Sequence, residues 1–530
     1  MKHLLNSLYC DAFARFNNFY HKLKFVFVFI SSWINYLYLY ALEIQGKHYL
    51  FFSLSFMKLK LYNTLTREKE EFIPLMKDPN YKWEKKDFVW MYSCWPTVYY
   101  TPHIGNLRAS FSADLIRNTL KYFWYPVKAV MNITDVWHLV SDADDWEDKL
   151  EKWAKRDGIS ARDVAKKYEE IFMRGLEDMN IEKFDVMPRA TEHIKEQIEL
   201  VKLLEEKGYT YEVPWDWIYM DTSKVDDYWK LIWPNYKKRL EELKAWERVD
   251  MKGKKNATDF ALWKFSMVKG KREMERDSPW WVGFPWWHIE CSAMSSKYLW
   301  EQFDIHHWGS DHITIHHPNE IAQAECWFGK KPRVKYWIHN EFLQVDWGKM
   351  SKSLWNFYSL EDIKARGYSP LDLRYFYFKA QYWNFQNFTW EALDQAKSER
   401  KGLIKKINSI LESNEEGENI NWKEKFQEAL ADNINTPKLL SELHIALAKW
   451  WKYAIDAIKE LEDKILKIGL FAWELSEENQ VPEDIIVLAE ERKKAKSEKN
   501  YALADEIREK IKDKWWLVKD NKEWYELQKI

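Results

Sequence analysis

The chain has 530 residues, enough for about two to four domains that each bury a core. Its 81 Lys and Arg residues nearly balance its 83 Asp and Glu residues, which excludes a polycation, so any contact with nucleic acid must come from local basic patches. Four scattered cysteines exclude a disulfide framework and favour a reducing compartment, with metal ligation as a role for some of them.

Residues 25–42 form a mainly apolar and aromatic stretch with about the length of a membrane span. One interpretation is an N-terminal anchor. The other is that translation starts at Met57, because residues 57–66 open a polar, strand-like sequence that leads into the first motif. We expect the second, with residues 1–56 being an apolar extension or an upstream mistranslation. No cleavage pattern of a signal peptide is evident.

From residue 88 onward, short apolar segments alternate with helical segments. A strand is expected at 88–92, a helix at 104–123 and a strand at 127–131. This alternation predicts βαβ units and a parallel sheet whose ligands bind at the carboxyl ends of the strands. A charged helical region at 142–207 and a strand-like region to residue 265 interrupt the pattern, as an insertion would.

Beyond residue 387 the sequence is helical and rich in Lys and Glu. The expected helices lie at 390–412, 422–431, 437–461 and 482–514. The predicted fold class is therefore α/β: a Rossmann-like parallel-sheet catalytic domain with an insertion, followed by a C-terminal all-α bundle.

Two pentapeptides that lie far apart in the sequence predict a nucleotide site. Residues 102–106 (PHIGN) open a predicted helix, whose N-terminal N–H groups and dipole can hold phosphate. Residues 349–353 (KMSKS) place two lysines in a flexible loop that can close over the phosphates and neutralise charge at an attacked α-phosphorus. Either pentapeptide alone is compatible with a helix cap or a solvated basic loop. Together, in this order, they indicate an ATP-handling site.

Four side chains are candidate metal ligands. His316 and Glu320 are spaced i, i+4, so on a helix they face the same side. Cys94 precedes the PHIGN turn and Cys291 follows a Trp-His-Ile-Glu segment, so each can lie at the end of a strand beside one cleft. Two thiolates, an imidazole and a carboxylate suit Zn²⁺. Taken singly, a cysteine is more often a small buried hydrophobe, so these residues alone leave the zinc site open.

Six segments, in this order, resemble the cysteinyl-tRNA synthetases, which are class I aminoacyl-tRNA synthetases. Their sequences are CWPTVY at 94–99, PHIGN at 102–106, NITD at 132–135, WHIECSAM at 287–294, HHPNE at 316–320 and KMSKS at 349–353. The likeness runs from residue 57 to about residue 530 and includes NTP at 435–437, at the head of the helical region. In combination these motifs are highly specific.

The resemblance implies a zinc site that recognises substrate sulfur. The implied zinc ligands are Cys94, Cys291, His316 and Glu320. The open position of the metal would take the thiolate of the substrate L-cysteine, which serine and alanine cannot offer. The residues implied around the substrate are Trp287, His306 and Thr97.

The resemblance also implies an ATP site and a reaction. His103, Asn106 and Asp311 would help to hold ATP, which arrives with Mg²⁺, while Lys349 and Lys352 would clamp its phosphates. The cysteine carboxylate would attack the α-phosphate to give cysteinyl-adenylate, and the cysteinyl group would then pass to the terminal ribose of tRNA(Cys). No protein nucleophile is required, because positioning and charge stabilisation carry the rate.

The chain departs from the family in its tryptophans: it has 33 Trp and 15 Gly. The family has glycine at many of the Trp positions, namely Trp90, Trp95, Trp124, Trp137, Trp229, Trp281, Trp286, Trp300, Trp308, Trp347 and Trp355. The family itself has tryptophan at Trp263, Trp280, Trp287, Trp337 and Trp390. We hypothesise that the gene comes from a lineage that decodes UGA as glycine and that UGA was translated as tryptophan. The alternative is a real Trp-rich variant that has lost catalysis.

Two other functions fit parts of the sequence. The cysteine ligase of mycothiol synthesis resembles the same catalytic half but lacks an anticodon-reading region, for which a long helical segment is present here. That segment carries candidate phosphate contacts, namely Arg492, Lys493, Lys494 and Lys496. A membrane-tethered, non-catalytic RNA-binding protein would use residues 25–42 as its anchor, but the intact candidate ligands and lysines argue against decay.

We therefore expect a cytoplasmic, monomeric cysteine–tRNA ligase. The expected domains are 1–56 for the extension, 57–195 and 276–345 for the two halves of the catalytic nucleotide-binding domain, 196–275 for the inserted connective region, 346–405 for the clamp loop and linker, and 406–530 for the helical anticodon-binding region.

Overall fold

The structure, a computed structural model, describes most of the chain between residues 57 and 529. The described ranges are 57–81, 87–94, 100–135, 158–232, 253–266, 269, 275–350, 356–412, 420–448, 452–471, 483–498, 500–514, 516–519 and 525–529. They belong to one unit that spans Met57–Ile530. The apolar stretch at 25–42 lies outside the described residues, as do Trp95, Trp137 and Trp355.

In the described ranges the strands group into five sheets. In chain order the strands are β1 (Lys60–Asn63), β2 (Glu68–Glu71), β3 (Val89–Ser93), β4 (Val127–Met131), β5 (Thr210–Val213), β6 (Trp217–Met220), β7 (Phe260–Phe265), β8 (Gly283–Pro285), β9 (Phe303–Gly309), β10 (Val334–Asn340), β11 (Leu343–Val345), β12 (Gly348–Lys349), β13 (Gln386–Phe388), β14 (Trp516–Lys519) and β15 (Glu526–Lys529).

The helices lie mostly between and after these strands. In chain order they are α1 (Ile104–Tyr122), α2 (Ala161–Asp178), α3 (Ile194–Glu206), α4 (Trp287–Leu299), α5 (His316–Phe328), α6 (Leu360–Ala365), α7 (Pro370–Phe378), α8 (Trp390–Glu412), α9 (Trp422–Ala431), α10 (Thr436–Ala448), α11 (Lys452–Leu461), α12 (Glu483–Ser497) and α13 (Tyr501–Asp513). None of the helices in the described ranges combines the length and the apolar character needed to cross a bilayer.

A four-stranded parallel sheet forms the centre of the catalytic half, in the order β10–β9–β3–β4. Its strands are almost wholly buried, as expected for parallel strands that helices cover on their faces. Helix α1 follows β3 and is buried along nearly its whole length. On one side it packs against α7, where the Phe111 ring lies 4.9 Å from that of Phe378. The predicted α/β class with a parallel sheet is confirmed.

A separate antiparallel sheet, β5–β6–β7–β8, lies in the chain between β4 and β9. All six residues of β7 are buried, including Trp263, whose side chain is fully enclosed. This sheet shares a core with helix α3 and the inner faces of α4 and α5. The insertion thus packs against the two helices that carry candidate metal ligands.

The C-terminal region is helical, as predicted, but it also ends in a hairpin. Strands β14 and β15 pair antiparallel after α13, which the all-α expectation did not include. The helix expected at 482–514 is two helices, because Asn500 caps the second one by accepting the Leu503 N–H at 3.3 Å. The helix expected at 437–461 is likewise assigned as α10 and α11. Arg492 is buried, so its guanidinium is not the exposed phosphate contact that the sequence suggested.

A buried ion pair ties the helical region to the catalytic half. Arg374 in α7 donates to Asp114 in α1 at 3.1 Å, and both side chains are fully buried. Arg374 also donates to the carbonyl oxygens of Leu466 at 2.7 Å and Met179 at 2.9 Å. These bonds satisfy a guanidinium that burial would otherwise penalise heavily.

Candidate metal and nucleotide site

The candidate site lies at the carboxyl edge of the parallel sheet. Cys94 directly follows β3, His306 lies in β9 and His339 lies near the end of β10. Since neighbouring parallel strands present their carboxyl ends at the same edge, residues far apart in sequence meet here. Tyr92 in β3 is the register partner of His306 in β9, so Cys94, two residues after Tyr92, lies beside the last residues of β9.

Two helices bring the remaining candidate ligands. Cys291 lies in the second turn of α4, so the expectation that it follows a strand is wrong; the Trp-His-Ile-Glu segment begins a helix instead. His316 and Glu320 lie in α5, and the i, i+4 spacing places them on one face as predicted. The Nε2 atom of His316 is 2.8 Å from the Oε1 atom of Glu320.

The four predicted ligands form one buried cluster, in which the donor atoms all lie within 4.8 Å of one another. The Sγ atoms of Cys94 and Cys291 are 3.7 Å apart. The Sγ atom of Cys94 is 3.6 Å from Nε2 of His316 and 3.8 Å from Oε1 of Glu320. Two thiolates on a tetrahedral zinc ion with Zn–S bonds of about 2.3 Å would lie roughly 3.8 Å apart. The residues therefore fit a zinc ion.

A second set of donors shares two members of the cluster. Cys94, His306, His317 and Glu320 also lie within 4.8 Å of one another and are buried. His306 Nε2 is 2.9 Å from Glu320 Oε2, so the carboxylate has an imidazole at each oxygen. The two sets overlap at Cys94 and Glu320, which makes them alternative descriptions of one site.

The surroundings of the cluster favour the ionised forms of Cys291 and Glu320, the ligands that lie on α4 and α5. Burial raises the pKa of Cys291, but the hydrogen bond from Cys94 and the neighbouring His316 bring it down to about 7. Burial raises the pKa of Cys94 well above its ordinary value, and Cys291 and Glu320 raise it further. Burial opposes ionisation of Glu320, yet His306 and His316 hold its pKa far below the usual range. The lowered pKa values of Cys291 and Glu320 thus favour the anionic forms, which bind a cation.

Residues outside the predicted ligand set orient the cluster. His288 Nδ1 is 2.9 Å from Nδ1 of His316, the ring nitrogen that does not face Glu320. His317 Nδ1 is 2.8 Å from Nε2 of His339, whose Nδ1 is 2.8 Å from the hydroxyl of Thr64. Such partners fix the orientation of metal-binding imidazoles. The sequence did not predict these contacts, because each one joins residues from different elements.

The residues expected around the substrate lie beside the cluster. The Trp287 ring stacks on His316 with centroids 4.3 Å apart, and the Trp337 ring stacks on His306 at 4.5 Å. Trp287 and His306 therefore flank the candidate ligands from α4 and β9. Thr97 lies outside the described residues.

His103 and Asn106 build the start of helix α1. The His103 ring accepts the Asn106 N–H at 3.1 Å, and the Asn106 side chain accepts the His103 N–H at 3.1 Å, which forms a capping box. Gly105 has no room for a side chain, since a Cβ atom would lie 2.9 Å from the His103 ring. The cap holds the imidazole at a positive helix end, where phosphate is favoured.

The segment after KMSKS runs alongside this helix start. The Ile104 N–H donates to the Tyr358 carbonyl at 2.9 Å, and the Phe357 ring lies 5.2 Å from the His103 ring. A Cβ atom on Gly105 would lie 3.7 Å from the Met350 methyl group. The structure thus places Met350 of KMSKS, and Phe357 and Tyr358 that follow it in the chain, next to the start of α1. Lys352 lies outside the described residues, and Lys349 is described only as backbone in β12.

Asp311 lies in the short 3₁₀ helix Ser310–Thr314, which follows β9 at the same edge of the sheet. Its Oδ1 atom would be 2.5 Å from a Cβ on Gly309, so the glycine leaves space for this carboxylate. Its Oδ2 atom is 3.9 Å from Nε2 of His312. Asp311 therefore stands near the imidazole cluster, although it is not one of the close ligand set.

Known proteins resemble this chain over most of its length. The family described as "tRNA synthetases class I (C) catalytic domain" matches residues 81–398. The cysteine–tRNA ligase of Treponema denticola is 42% identical over 500 residues, which cover 88% of this chain and 98% of that protein. The cysteine–tRNA ligase of Thermococcus gammatolerans is 36% identical over 486 residues, covering 86% and 96%.

Among solved structures, a methionyl-tRNA synthetase of Mycobacterium tuberculosis bound by methionyl-adenylate matches with 16% identity and a TM-score of 0.47, covering 72% of this chain and 83% of that chain. The family match includes the candidate site, and the two relatives cover 88% and 86% of this chain. The chain belongs to the cysteine–tRNA ligase family of class I aminoacyl-tRNA synthetases.

Proposed function

We propose that the protein is a cysteine–tRNA ligase, which activates L-cysteine with ATP and transfers it to tRNA(Cys) in the cytoplasm. The observation that carries the proposal is the buried set of two thiols, an imidazole and a carboxylate at the carboxyl edge of the sheet, in a chain of this family. The adjacent PHIGN and KMSKS segments supply the features expected of an ATP site.

In this proposal, Cys94, Cys291, His316 and Glu320 hold a zinc ion. The donor atoms are close enough and of the right chemical type for that ion. When bound, zinc supplies a soft Lewis acid that recognises a thiolate. Serine and alanine lack such a group, so discrimination against them needs no separate editing site.

Trp287 and His306 position the substrate amino acid. Their rings are held by stacking on His316 and Trp337, so each presents a preorganised face rather than a mobile side chain. His306 is also bonded to Glu320, which couples the orientation of a substrate contact to that of a metal ligand. Thr97 is assigned next to the substrate on family resemblance.

ATP binds at the start of helix α1 in this proposal. His103 and Asn106, aligned by their capping box, contact the phosphates together with Asp311, while Lys349 and Lys352 close over them with Mg²⁺. The cysteine carboxylate attacks the α-phosphorus, the P–O bond to the leaving pyrophosphate breaks, and cysteinyl-adenylate forms. The ribose hydroxyl of the tRNA then attacks the activated carbonyl and AMP leaves.

The C-terminal helices are assigned to the anticodon of the tRNA. Lys494 is exposed on α12 and can contact phosphate, Lys493 and Lys496 are half-buried there, and Arg492 supports the core of that region. The domain boundaries given above and a monomeric state are part of the same proposal. The mycothiol ligase has no use for such a region, so charging of tRNA is the discriminating activity.

Two measurements test the function. Cysteine-dependent exchange of pyrophosphate into ATP reports activation, and charging of tRNA(Cys) reports transfer. Cys291→Ser is expected to lose bound zinc and at least about 100-fold in kcat/KM for cysteine. Cys326→Ser is the matched control, because Cys326 is also a buried thiol in the described residues but lies outside both donor sets. Full activity of Cys291→Ser would refute the zinc assignment, and activation without tRNA charging would favour the other ligase.

A further inference from the structure

Four tryptophans in the described part of the chain have a backbone conformation that suits glycine. Their φ angles are 64° at Trp124, 65° at Trp215, 68° at Trp300 and 61° at Trp347. Positive φ is found in only a few per cent of non-glycine residues and is a true outlier for a bulky side chain. Nineteen of the 33 tryptophans lie in the described ranges, so about one in five of these has it.

Trp124 occupies the glycine position of a helix-terminating motif. After α1 its N–H donates to the Lys121 carbonyl at 3.0 Å, and the next N–H, of Tyr125, donates to the Leu120 carbonyl at 3.0 Å. This pair of bonds defines a Schellman motif, whose left-handed residue is usually glycine. The chain uses glycine at the same position elsewhere.

Three other helices in the described residues end in the same pair of bonds. After α2, Asn180, with a φ of 52°, donates to Glu177 at 2.9 Å and Ile181 donates to Leu176 at 2.9 Å. After α3, Gly208 donates to Glu205 at 2.8 Å and Tyr209 donates to Leu204 at 2.9 Å. After α6, Gly367 and Tyr368 donate in the same way at 2.9 and 3.3 Å. The φ angles of Gly208 and Gly367 are 75° and 78°. Trp124 therefore stands where the chain has glycine after α3 and α6 and asparagine after α2, the two residue types that this conformation favours.

Trp347 lies in the two-residue turn between β11 and β12. Val345 pairs with Gly348, and the two turn residues, Asp346 and Trp347, have φ angles of 49° and 61°. Two successive positive φ angles define a type I′ hairpin turn, for which Asp-Gly is a preferred sequence. Glycine is therefore the preferred residue at position 347. The Trp347 side chain is 79% exposed.

Trp215 follows a proline in the connection between β5 and β6. The Asp216 N–H donates to the Val213 carbonyl at 3.1 Å, which closes a four-residue turn with Pro214 and Trp215 at its centre. Proline followed by a residue with positive φ is the type II pattern, in which the second central residue is glycine. Trp215 is 74% exposed.

Trp300 ends α4 in the most restrictive conformation of the four. Its φ and ψ are 68° and −163°. Residues other than glycine essentially never adopt this region, because the Cβ atom collides with the adjacent backbone. Its N–H donates to the Ser296 carbonyl at 3.1 Å, so the backbone there is held by the end of the helix.

Other tryptophans of the chain have the burial and the backbone conformation that are usual for this residue type. Trp263 and Trp337 lie in strands, are 0% and 2% exposed and have no positive φ. Trp337 also donates its N–H to Asn63 at 3.0 Å. Trp263 and Trp337 thus differ in both conformation and burial from the four tryptophans with positive φ.

We propose that positions 124, 215, 300 and 347 are glycine in the protein that the cell makes. The four share no sequence context, and their common property is a positive φ, which favours glycine and is an outlier for a bulky side chain. A single cause for all four is a UGA codon that the host reads as glycine and that was translated as tryptophan in this sequence. The host would then contain a glycine-accepting tRNA that pairs with this codon.

The backbone conformation extends the sequence hypothesis to Trp215. It also supplies evidence that does not depend on family resemblance, because each position is identified by its own dihedral angles and hydrogen bonds. Failure of the proposed activity would leave this inference untouched, since it concerns residue identity and not chemistry.

Peptide mass spectrometry of the protein purified from its host is the direct test. We expect glycine at all four positions and tryptophan at 263 and 337. In the gene, the codon used at positions 124, 215, 300 and 347 should differ from the codon used at positions 263 and 337. Tryptophan at any of the four positions in the native protein would overturn the proposal.

Recombinant variants give a second test. Trp124→Gly is expected to raise the midpoint of thermal unfolding by roughly 1 to 2 °C, since it relieves a left-handed aromatic residue in a large unit. Gly208→Trp, in the equivalent motif after α3, is the matched control and is expected to lower it. A fall of the midpoint in Trp124→Gly would contradict the proposal. If the chain with all its tryptophans does not fold, peptide analysis of the native protein still decides the question.

Discussion

The Nε2 atom of His306 lies 2.9 Å from the Oε2 atom of Glu320, and both side chains are buried. The other oxygen of the same carboxylate faces His316 at 2.8 Å. A residue proposed to contact the substrate is therefore bonded directly to a proposed metal ligand. Binding of the metal and placement of the amino acid should depend on each other.

Replacing His306 tests this coupling. His306→Ala removes the partner that holds Glu320 Oε2, and partners of this kind are worth about 10- to 100-fold in metal affinity. We expect zinc affinity, measured by competition with a chelator, to fall by that factor and KM for cysteine to rise. His444→Ala is the control, because His444 lies in α10, 3.3 Å from Tyr375. Unchanged zinc affinity in His306→Ala would separate the two roles.

His103 has a structural role as a helix cap and a proposed role at ATP, and two substitutions separate them. His103→Asn retains a good N-cap and should leave stability within about 0.5 kcal/mol, whereas His103→Ala loses the cap and about 1 kcal/mol. Both should lose about 100-fold or more in kcat for pyrophosphate exchange, because neither restores the imidazole. If His103→Asn retained both stability and activity, while His103→Ala lost both, helix capping would be the whole role of His103.

The buried pair of Arg374 and Asp114 should be important for stability. In the described residues, Arg374→Met leaves the Asp114 carboxylate with Arg117 as its charged partner, at 2.7 Å. It also removes the hydrogen-bond donor of the Leu466 and Met179 carbonyl groups. Breaking such a pair costs about 3 to 5 kcal/mol, measurable by urea unfolding. Lys58→Met breaks an exposed pair with Glu71, 2.8 Å apart, and should cost under about 1 kcal/mol. If both substitutions lowered the free energy of unfolding by the same amount, the buried pair would contribute no more to stability than the exposed pair.

Asp304 should make stability depend on pH. Burial raises its pKa from 3.8 to about 6, although it accepts N–H groups from Trp90 and Leu75 at 2.9 and 2.6 Å. The folded state then binds more protons than the unfolded state between pH 4 and pH 6. The contribution of Asp304 is therefore most favourable below pH 4 and is lost as the pH rises to 6, by up to about 3 kcal/mol.

The measurement for Asp304 is the free energy of unfolding from pH 4 to pH 7 in the native chain and in Asp304→Asn. Because asparagine does not titrate, the native chain should lose stability relative to the variant across this interval. The difference between the two chains is the relevant quantity, since other groups titrate in both. A difference that stays constant with pH would contradict the prediction.

Local patterns in the sequence predicted several elements to the residue. The strand at Val127–Met131 and the helices Trp390–Glu412 and Trp422–Ala431 have the expected bounds. In each, apolar residues recur with one clear period and the ends carry a recognisable break. The helix expected at 482–514 was divided by Asn500, a cap that the continuous run of Lys and Glu concealed.

The ligand spacing within one helix was also predictable, but the wider cluster was not. His316 and Glu320 face the same side of α5 because the helical period dictates it. The positions of Cys94, Cys291 and His306 depend on the strand order β10–β9–β3–β4 and on how α4 packs, which are long-range relationships. Cys291 was expected after a strand for this reason, since nothing in its neighbours showed that α4 begins at Trp287.

By itself, the sequence determined the family, through motifs whose residue types the chemistry requires, and the element types, through hydrophobic period. It also showed an excess of tryptophan and, through the family resemblance, positions at which glycine is expected, but it did not show their backbone conformation. Only the tertiary structure decided which imidazoles share Glu320 and which tryptophans have the backbone of a glycine. The physical reason is that side-chain contacts and dihedral angles at chain reversals are set by packing between distant segments, whereas motif and period are local properties.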